Sequence, residues 1–228
     1  MSIHAFIFDF DGTILDTESQ DFIVVNEMWQ AHGVTLDLAE WRKGLGTVGE
    51  FDGYDALELA IGHSIDRAHW RAHNHERYME HCMAQTLRPG VIELLDYADA
   101  HQITLAVGSS GDRAWVTKWL THHNLIQRFT TVVTRDDVSQ VKPSPEIFLL
   151  AAQNIAIDPA HCLVFEDSAH GATAAARAGM RCVAVPIPAL SDAWMPAVTI
   201  RLQSLADLTP AQLLAQVTGH APSTPHTM

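Results

Sequence analysis

The chain has 228 residues, 47% hydrophobic and 18% charged, with 13 Gly and 10 Pro. That excludes collagen-like, coiled-coil and wholly disordered classes, and leaves one substantial domain or one domain carrying a smaller insert. Lys and Arg number 14 against 27 Asp and Glu, a formal charge of −13 that disfavours nucleic acid and anionic lipid surfaces as partners.

Ile3 to Phe8 is a short apolar run ending in Asp-Phe-Asp-Gly-Thr, which predicts a buried strand that stops at a loop. The acids Asp9 and Asp11 interrupt that run at once, so it does not read as a leader. From about Ser19 to Cys82 the pattern changes to helical periods. Phe22, Val25, Met28 and Trp29 share a face, as do Leu57, Leu59 and Ile61, then Trp70 and Tyr78. No strand is expected there, and the loop Lys43 to Gly49 and Gly62 separate the helices. After Arg88-Pro89-Gly90 helices and strands alternate. Helices are expected over 91–101 and 113–123, after Pro145 and over 170–178; strands are expected over 104–107, 162–165 and 182–185. Such alternation predicts an α/β fold with a doubly wound parallel sheet and helices on both faces. The discontinuous core would comprise 1–16 and 86–228, with a helical cap at 17–85. The tail from Gly219 is expected to fray.

No apolar run approaches the ~18 residues of a membrane span. Cys82, Cys162 and Cys182 are odd in number and form no Cys-x-x-Cys pair, which disfavours a disulfide framework or a thiolate zinc site. The chain therefore reads as soluble and cytoplasmic, and a monomer is favoured.

Polar residues that do not belong to a core stand at the expected strand ends and in nearby loops: Asp9 and Asp11, Ser109 and Ser110, Lys142, and Glu166 with Asp167. A parallel sheet brings such ends to one edge. Taken singly, each has an ordinary account as a turn, a helix cap or a solvated lysine. Jointly, those accounts would have to coincide on one edge. Carboxylates gathered there repel one another unless a divalent cation intervenes, and Mg²⁺ with oxygen ligands suits them.

Asp9-Phe10-Asp11-Gly12-Thr13, Ser109 after an apolar strand, Lys142-Pro143, and Glu166-Asp167 after another strand together resemble the haloacid dehalogenase superfamily, in its phosphatase and phosphoglucomutase-like branch. The resemblance spans nearly the whole chain, and Asp16-Thr17-Glu18 agrees with it. A carboxylate is a known covalent nucleophile for phosphoryl groups. Asp9 would attack phosphorus, and Asp11 would protonate the leaving alkoxide and then activate water. Lys142 and Mg²⁺ would supply positive charge, while Ser109 and backbone N–H groups near Gly12 and Ser110 hold oxygens. The resemblance places Asp9, the backbone carbonyl of Asp11 and Asp167 on the metal, with Glu166 beside it. Gly12, Thr13, Ser110, Lys43, Gly44 and Thr47 are the candidate substrate contacts.

The expected activity is Mg²⁺-dependent hydrolysis of a small phosphorylated metabolite, such as a sugar phosphate. A β-phosphoglucomutase-like mutase is the alternative, but Asp21 and Thr47 stand where that relative's histidine and cap arginine align. A dehalogenase proper lacks an equivalent of Asp11, and a phosphonate hydrolase would have to use Lys43, the only lysine of the insert. A non-enzymatic receiver module also combines acids, a hydroxyl and a lysine, but the insert and Asp11 argue against it. His69, His73 and His81 could suggest zinc, yet lack a His-Glu-x-x-His pattern and read better as a solvated helix face.

Overall fold

Ala5–Phe8 (β1) carries apolar side chains at every position, a pattern suited to a strand covered on both faces. The computed structural model, which describes residues 2–44, 51–188, 195–196 and 198–219, places it in the middle of the sheet. The other strands are Thr104–Gly108 (β2), Thr131–Val133 (β3), Cys162–Glu166 (β4), Arg181–Ala184 (β5) and Ile200–Arg201 (β6). Their order is β3-β2-β1-β4-β5-β6 and every pairing is parallel. In register, Phe8 lies beside Val107 on one flank and Phe165 on the other, so β1, β2 and β4 end at the same level.

Alternation along the strands sorts the core into two layers. Phe6, Phe8, Leu105, Val107, Leu163 and Phe165 face Val91–Ala100 (α5), Arg113–His122 (α6) and Pro210–Thr218 (α9). Ala5, Ile7, Ala106, Cys162, Val164 and Cys182 face Glu146–Asn154 (α7) and Ala169–Arg177 (α8). The Phe8 and Phe165 rings stack 4.5 Å apart, each ring contributing ~1.5–3 kcal/mol by burial.

Between the loop after β1 and α5 lie Glu18–Ala31 (α1), Leu38–Trp41 (α2), Gly53–Ile61 (α3) and Arg67–Met83 (α4). Leu15 bridges Asp11 on one side and Leu87 on the other, so the chain leaves for these helices and returns from them at one point. They enclose a third apolar cluster of Met28, Trp29, Leu36, Trp41 and Leu57, closed by Ile187 beyond β5. Asp52 and Asp66 cap α3 and α4 by accepting from first-turn N–H groups. Among the described residues no helix is long and apolar enough to cross a membrane.

The expected alternation of elements is present, with ends displaced by one or two residues. Among the described residues, the unexpected elements include β3 and β6, which are short strands at the edges of the sheet, and α9. Leu59 corrects the expected face of α3: it is 86% exposed while Leu57 is fully buried, because positions two apart on a helix point about 200° apart. His69 and His73 stack on an exposed face beside Trp70, as a solvated surface would. The tail beyond 219 lies outside the described residues.

Candidate active site

The Asp9 N–H donates to the Phe165 carbonyl at 2.9 Å, which extends the β1–β4 ladder by one step and fixes Asp9 at the strand end. The chain then turns sharply: Phe10 O accepts from Ile14 N at 2.9 Å, and Gly12 N donates to Leu15 O at 2.8 Å. Gly12 has φ +79°, and a Cβ there would overlap the Asp167 carboxylate, so both conformation and space require glycine. Thr13 is fully buried in this turn, and its hydroxyl has no partner.

Glu166 and Asp167 end β4 and lead into α8. One Glu166 oxygen accepts from Asp167 N (2.9 Å), Ser168 N (2.8 Å) and Ser168 Oγ (2.9 Å); the other accepts from Lys142 Nζ at 2.7 Å. Lys142 is 1% exposed, lies over the Phe148 ring, and also donates to Asp9 Oδ1. Glu166 therefore aims the lysine and ties Asp167 in place, with both oxygens engaged by protein donors. Four hydrogen bonds suit it to standing beside a metal better than on it.

Asp9, Glu166 and Asp167 each offer an oxygen within 4.8 Å of the others, all buried. Burial, reinforced by Glu166, drives the Asp167 carboxyl well up; it pushes Asp9 to about 8, against the pull of Lys142. Such crowding needs more positive charge than one lysine provides. An all-oxygen, buried donor set that repels itself fits a hard divalent cation such as Mg²⁺.

The Asp11 carboxylate stands apart from that cluster. Its Oδ1 accepts from Thr17 Oγ1 at 2.8 Å and from the Trp115 indole N–H at 2.7 Å. Burial raises its pKa, while Trp115, Thr17, Lys142 and Ser109 oppose the rise. Of the groups expected on the metal, then, Asp11 would contribute only its backbone carbonyl. Ser109 follows β2, is fully buried, and accepts from Gly111 N at 2.9 Å. A Cβ at Gly111 would lie 3.1 Å from Asp11 Oδ2 and 3.2 Å from Ser109 Oγ, which places hydroxyl and acid at one spot.

The structure thus brings Asp9, Asp11, Gly12, Thr13, Ser109, Lys142, Glu166 and Asp167 to one sheet edge, with Ser110 in the adjoining loop. Lys43 is elsewhere engaged: it is exposed and paired with Glu40 at 2.5 Å. Gly44 ends a short 3₁₀ turn, Arg42–Gly44, and Thr47 lies outside the described residues. Sequence reasoning missed Thr17, Trp115, Ser168 and Gly171. It also missed the role of Arg88, whose guanidinium donates to the carbonyls of Gly12, Val185 (2.8 Å) and Pro186 (3.2 Å).

A model of the haloacid dehalogenase-like hydrolase family matches residues 6–185. The chain belongs to that family. A relative within it is "Putative phosphatase YhcW" of Bacillus subtilis (strain 168), 40% identical over 212 residues, or 93% of this chain and 96% of that one. The "Phosphorylated carbohydrates phosphatase" of Thermotoga maritima is 30% identical over 83% of this chain and 88% of its own. Among solved structures, CbbY from Rhodobacter sphaeroides in complex with xylulose-(1,5)bisphosphate superposes with a TM-score of 0.70 at 29% identity, over 90% of this chain and 96% of that one. Haloacid dehalogenase-like membership makes the chain a hydrolase of α/β fold.

Proposed function

We propose that this hydrolase is a Mg²⁺-dependent phosphomonoesterase that cleaves a small phosphorylated metabolite through an aspartyl-phosphate intermediate. The observation that carries the reading is the division of labour between two carboxylates two residues apart. Asp9 is held by Lys142 in the acidic cluster, whereas Asp11 is held by Thr17 and Trp115 outside it. An Asp9 oxygen forms a bond to phosphorus as the bond from phosphorus to the substrate oxygen breaks, and Asp11 gives that oxygen its proton. Asp11, now a base, takes a proton from water as the water oxygen bonds to phosphorus and the acyl phosphate opens, releasing phosphate and regenerating Asp9. Lys142, Ser109 Oγ and the Thr13 hydroxyl would donate to the phosphoryl oxygens, with Ser110 in the loop beside them; the Gly12 N–H is held by the Leu15 carbonyl.

Asp9, Asp167 and the Asp11 carbonyl would hold Mg²⁺, which supplies positive charge where phosphoryl charge develops. Residues 17–85 would act as a cap that excludes water and selects the alcohol. The Thermotoga phosphatase of phosphorylated carbohydrates and the CbbY complex favour a phosphosugar as substrate.

The test is release of inorganic phosphate from an aryl phosphate and a panel of sugar phosphates. Asp9→Asn should stop turnover while leaving the melting transition in place. Chelation should stop the wild type and added Mg²⁺ restore it. Retention of more than a few per cent of activity by Asp9→Asn, or full activity in excess chelator, overturns the mechanism.

A further inference from the structure

The chain returns from the helical insert through Leu87 and Arg88, and it does so along the turn that follows β1. Leu15 bridges Leu87, and the Arg88 N–H donates to the Ile14 carbonyl at 2.9 Å. Arg88 is half-buried, and its guanidinium joins separate parts of the sheet edge. Nη1 donates to the carbonyls of Gly12 and Val185 (2.8 Å), and Nη2 to that of Pro186 (3.2 Å).

Those acceptors belong to chains that the sheet keeps apart. Gly12 follows β1 and Val185 follows β5, and the order β1-β4-β5 puts β4 between them. Strands two places apart are ~10 Å from each other. One nitrogen nevertheless reaches both carbonyls, so the two chains close in beyond the end of β4, where Asp167 leaves that strand. The Asp167 carboxylate rests against Gly12, at which a Cβ would overlap it. Val185 N donates to the Glu166 carbonyl at 2.7 Å, which ties the chain after β5 to the same strand end.

The bond to Gly12 also bears on Asp11. The peptide between Asp11 and Gly12 is held at its N–H by the Leu15 carbonyl at 2.8 Å, and Arg88 holds the next carbonyl along. Gly12, at φ +79°, is the joint between those two peptides, so the pair of contacts fixes the direction in which the Asp11 carbonyl points.

A lysine could not make this set of contacts, because the guanidinium is a planar fork with donors in fixed directions, whereas an ammonium is a point charge. Charge enters as well, and the carboxylates that act on Arg88 are Asp167 and Asp16. By charge alone, a guanidinium near Asp167 competes with a metal cation; by geometry, it assembles the oxygens that such a cation needs. The two effects have opposite signs. Mg²⁺ demands near-ideal octahedral oxygens at ~2.0–2.1 Å, so small displacements of its ligands weaken binding.

We propose that Arg88 is a positioning residue for the metal end of the site: its guanidinium draws the chains after β1 and β5 together over the end of β4 and so sets the Asp11 carbonyl and the Asp167 carboxylate at the spacing of Mg²⁺ ligands. The proposal rests on the Mg²⁺ reading above and adds to it a residue outside the ligand set.

The test titrates Mg²⁺ into the full chain by calorimetry, for the wild type, Arg88→Lys and Arg88→Met, at a temperature where melting curves show the proteins folded. Arg88→Lys keeps the charge and loses the fork; Arg88→Met loses both. The Mg²⁺ dissociation constant should rise at least tenfold in each, with the lysine recovering little of the loss. If charge governs, Arg88→Met binds Mg²⁺ more tightly than the wild type while Arg88→Lys matches it, and the proposal is overturned. It is overturned equally if both constants stay within threefold of the wild-type value while the melting temperature falls, the behaviour of a brace that serves stability alone. Should Arg88→Met not fold, Arg88→Lys decides by itself, since both rival accounts give it a wild-type constant. Phosphate release is assayed alongside. A wild type that binds Mg²⁺ but frees no phosphate from an aryl ester refutes the phosphatase reading, while the titrations still decide Arg88. A wild type that binds no Mg²⁺ refutes the metal reading and this proposal together.

Discussion

Gly171 is the third residue of α8, and an alanine there should by ordinary helix energetics be welcome, gaining ~1 kcal/mol over glycine. The structure predicts the reverse. A Cβ at this position would overlap Oε1 and Cδ of Glu166, far inside the 3.0 Å that real Cβ contacts keep. The helix cannot yield, because Gly171 N is held by the Ser168 cap and Ala172 N by the Ser168 carbonyl. The carboxylate must retreat instead, leaving donors at 2.7 to 2.9 Å without their acceptor. Hydrogen bonds to a charged group contribute ~1.5–3 kcal/mol each, and stripping one partner from a buried ion pair costs ~3–5 kcal/mol. Against the helix gain, a net loss of ~2–4 kcal/mol follows, which for a chain of this size lowers the melting temperature by roughly 5–15 °C. Lys142, no longer aimed by Glu166, should lose much of its effect on the reaction, so phosphate release should fall by about two orders of magnitude. Calorimetry and a phosphate-release assay on Gly171→Ala measure both. Because the damage runs through Glu166, adding Glu166→Ala to Gly171→Ala should cost far less than it does in the wild type. A variant that melts at or above the wild-type temperature with normal turnover would refute the reasoning, and additive losses would refute the route through Glu166.

Two other predictions follow from hydrogen bonds to single carboxylates. Trp115→Phe keeps an aromatic ring against Tyr78 but removes the N–H that lowers the Asp11 pKa; that pKa should rise further, so the basic limb of the kcat/KM profile should move to higher pH. An unmoved limb would take Asp11 out of the acid role. In the insert, Glu58 accepts from Arg67 Nε and from Ile65 N, each at 3.0 Å, and its carboxyl is held down to about 2 from an ordinary 4.5, chiefly by the Arg67 hydrogen bond. A depressed folded-state pKa stabilises above the unfolded value and is lost as pH falls toward about 2. Glu58→Gln should therefore flatten the loss of stability between pH 4.5 and 2, read from urea midpoints across that range; parallel curves for both proteins would count against it.

What the sequence discloses, and what it conceals, follows from the distance over which each signal acts. The strand ends were legible because β1 and β4 are fully buried runs that stop at acids, a contrast visible within ten residues. β3 and β6 were not, since at three and two residues on the edges of the sheet they are too short to show a period. α9 was missed although its signal was local: Thr209 and Gln212 form a capping box, Pro210 opens the helix and Gly219 closes it. Lys142 before a proline reads as a solvated loop residue until its burial against Asp9 and Glu166 is seen, and only its company with the other motifs made it a candidate. Trp115 had no such company. It lies 104 positions from Asp11, and in sequence it is one more aromatic on the core face of a helix. Gly171 reads as a defect in α8 because its reason is a carboxylate brought there by the turn from β4.

A cavity of about 370 Å³ within the helical insert is the extreme case of the same limit. Periodicity assigns α1 and α4 an apolar face each, yet nothing in either period says that Asp21 and Asn74 will line one space, or that an asparagine among core residues will lack a partner for its carbonyl. Asp9 and Asp11, the proposed nucleophile and acid, lie two residues apart in one turn, so that part of the site is local and readable. The cavity's walls come from three helices whose relative placement depends on Met28, Trp29, Leu57 and their neighbours packing together. These helices can therefore repack while Asp9, Asp11, Lys142 and Asp167 stay where the sheet holds them. For the same reason the proposed catalytic groups are legible in four short motifs, while this cavity is written in no contiguous segment at all.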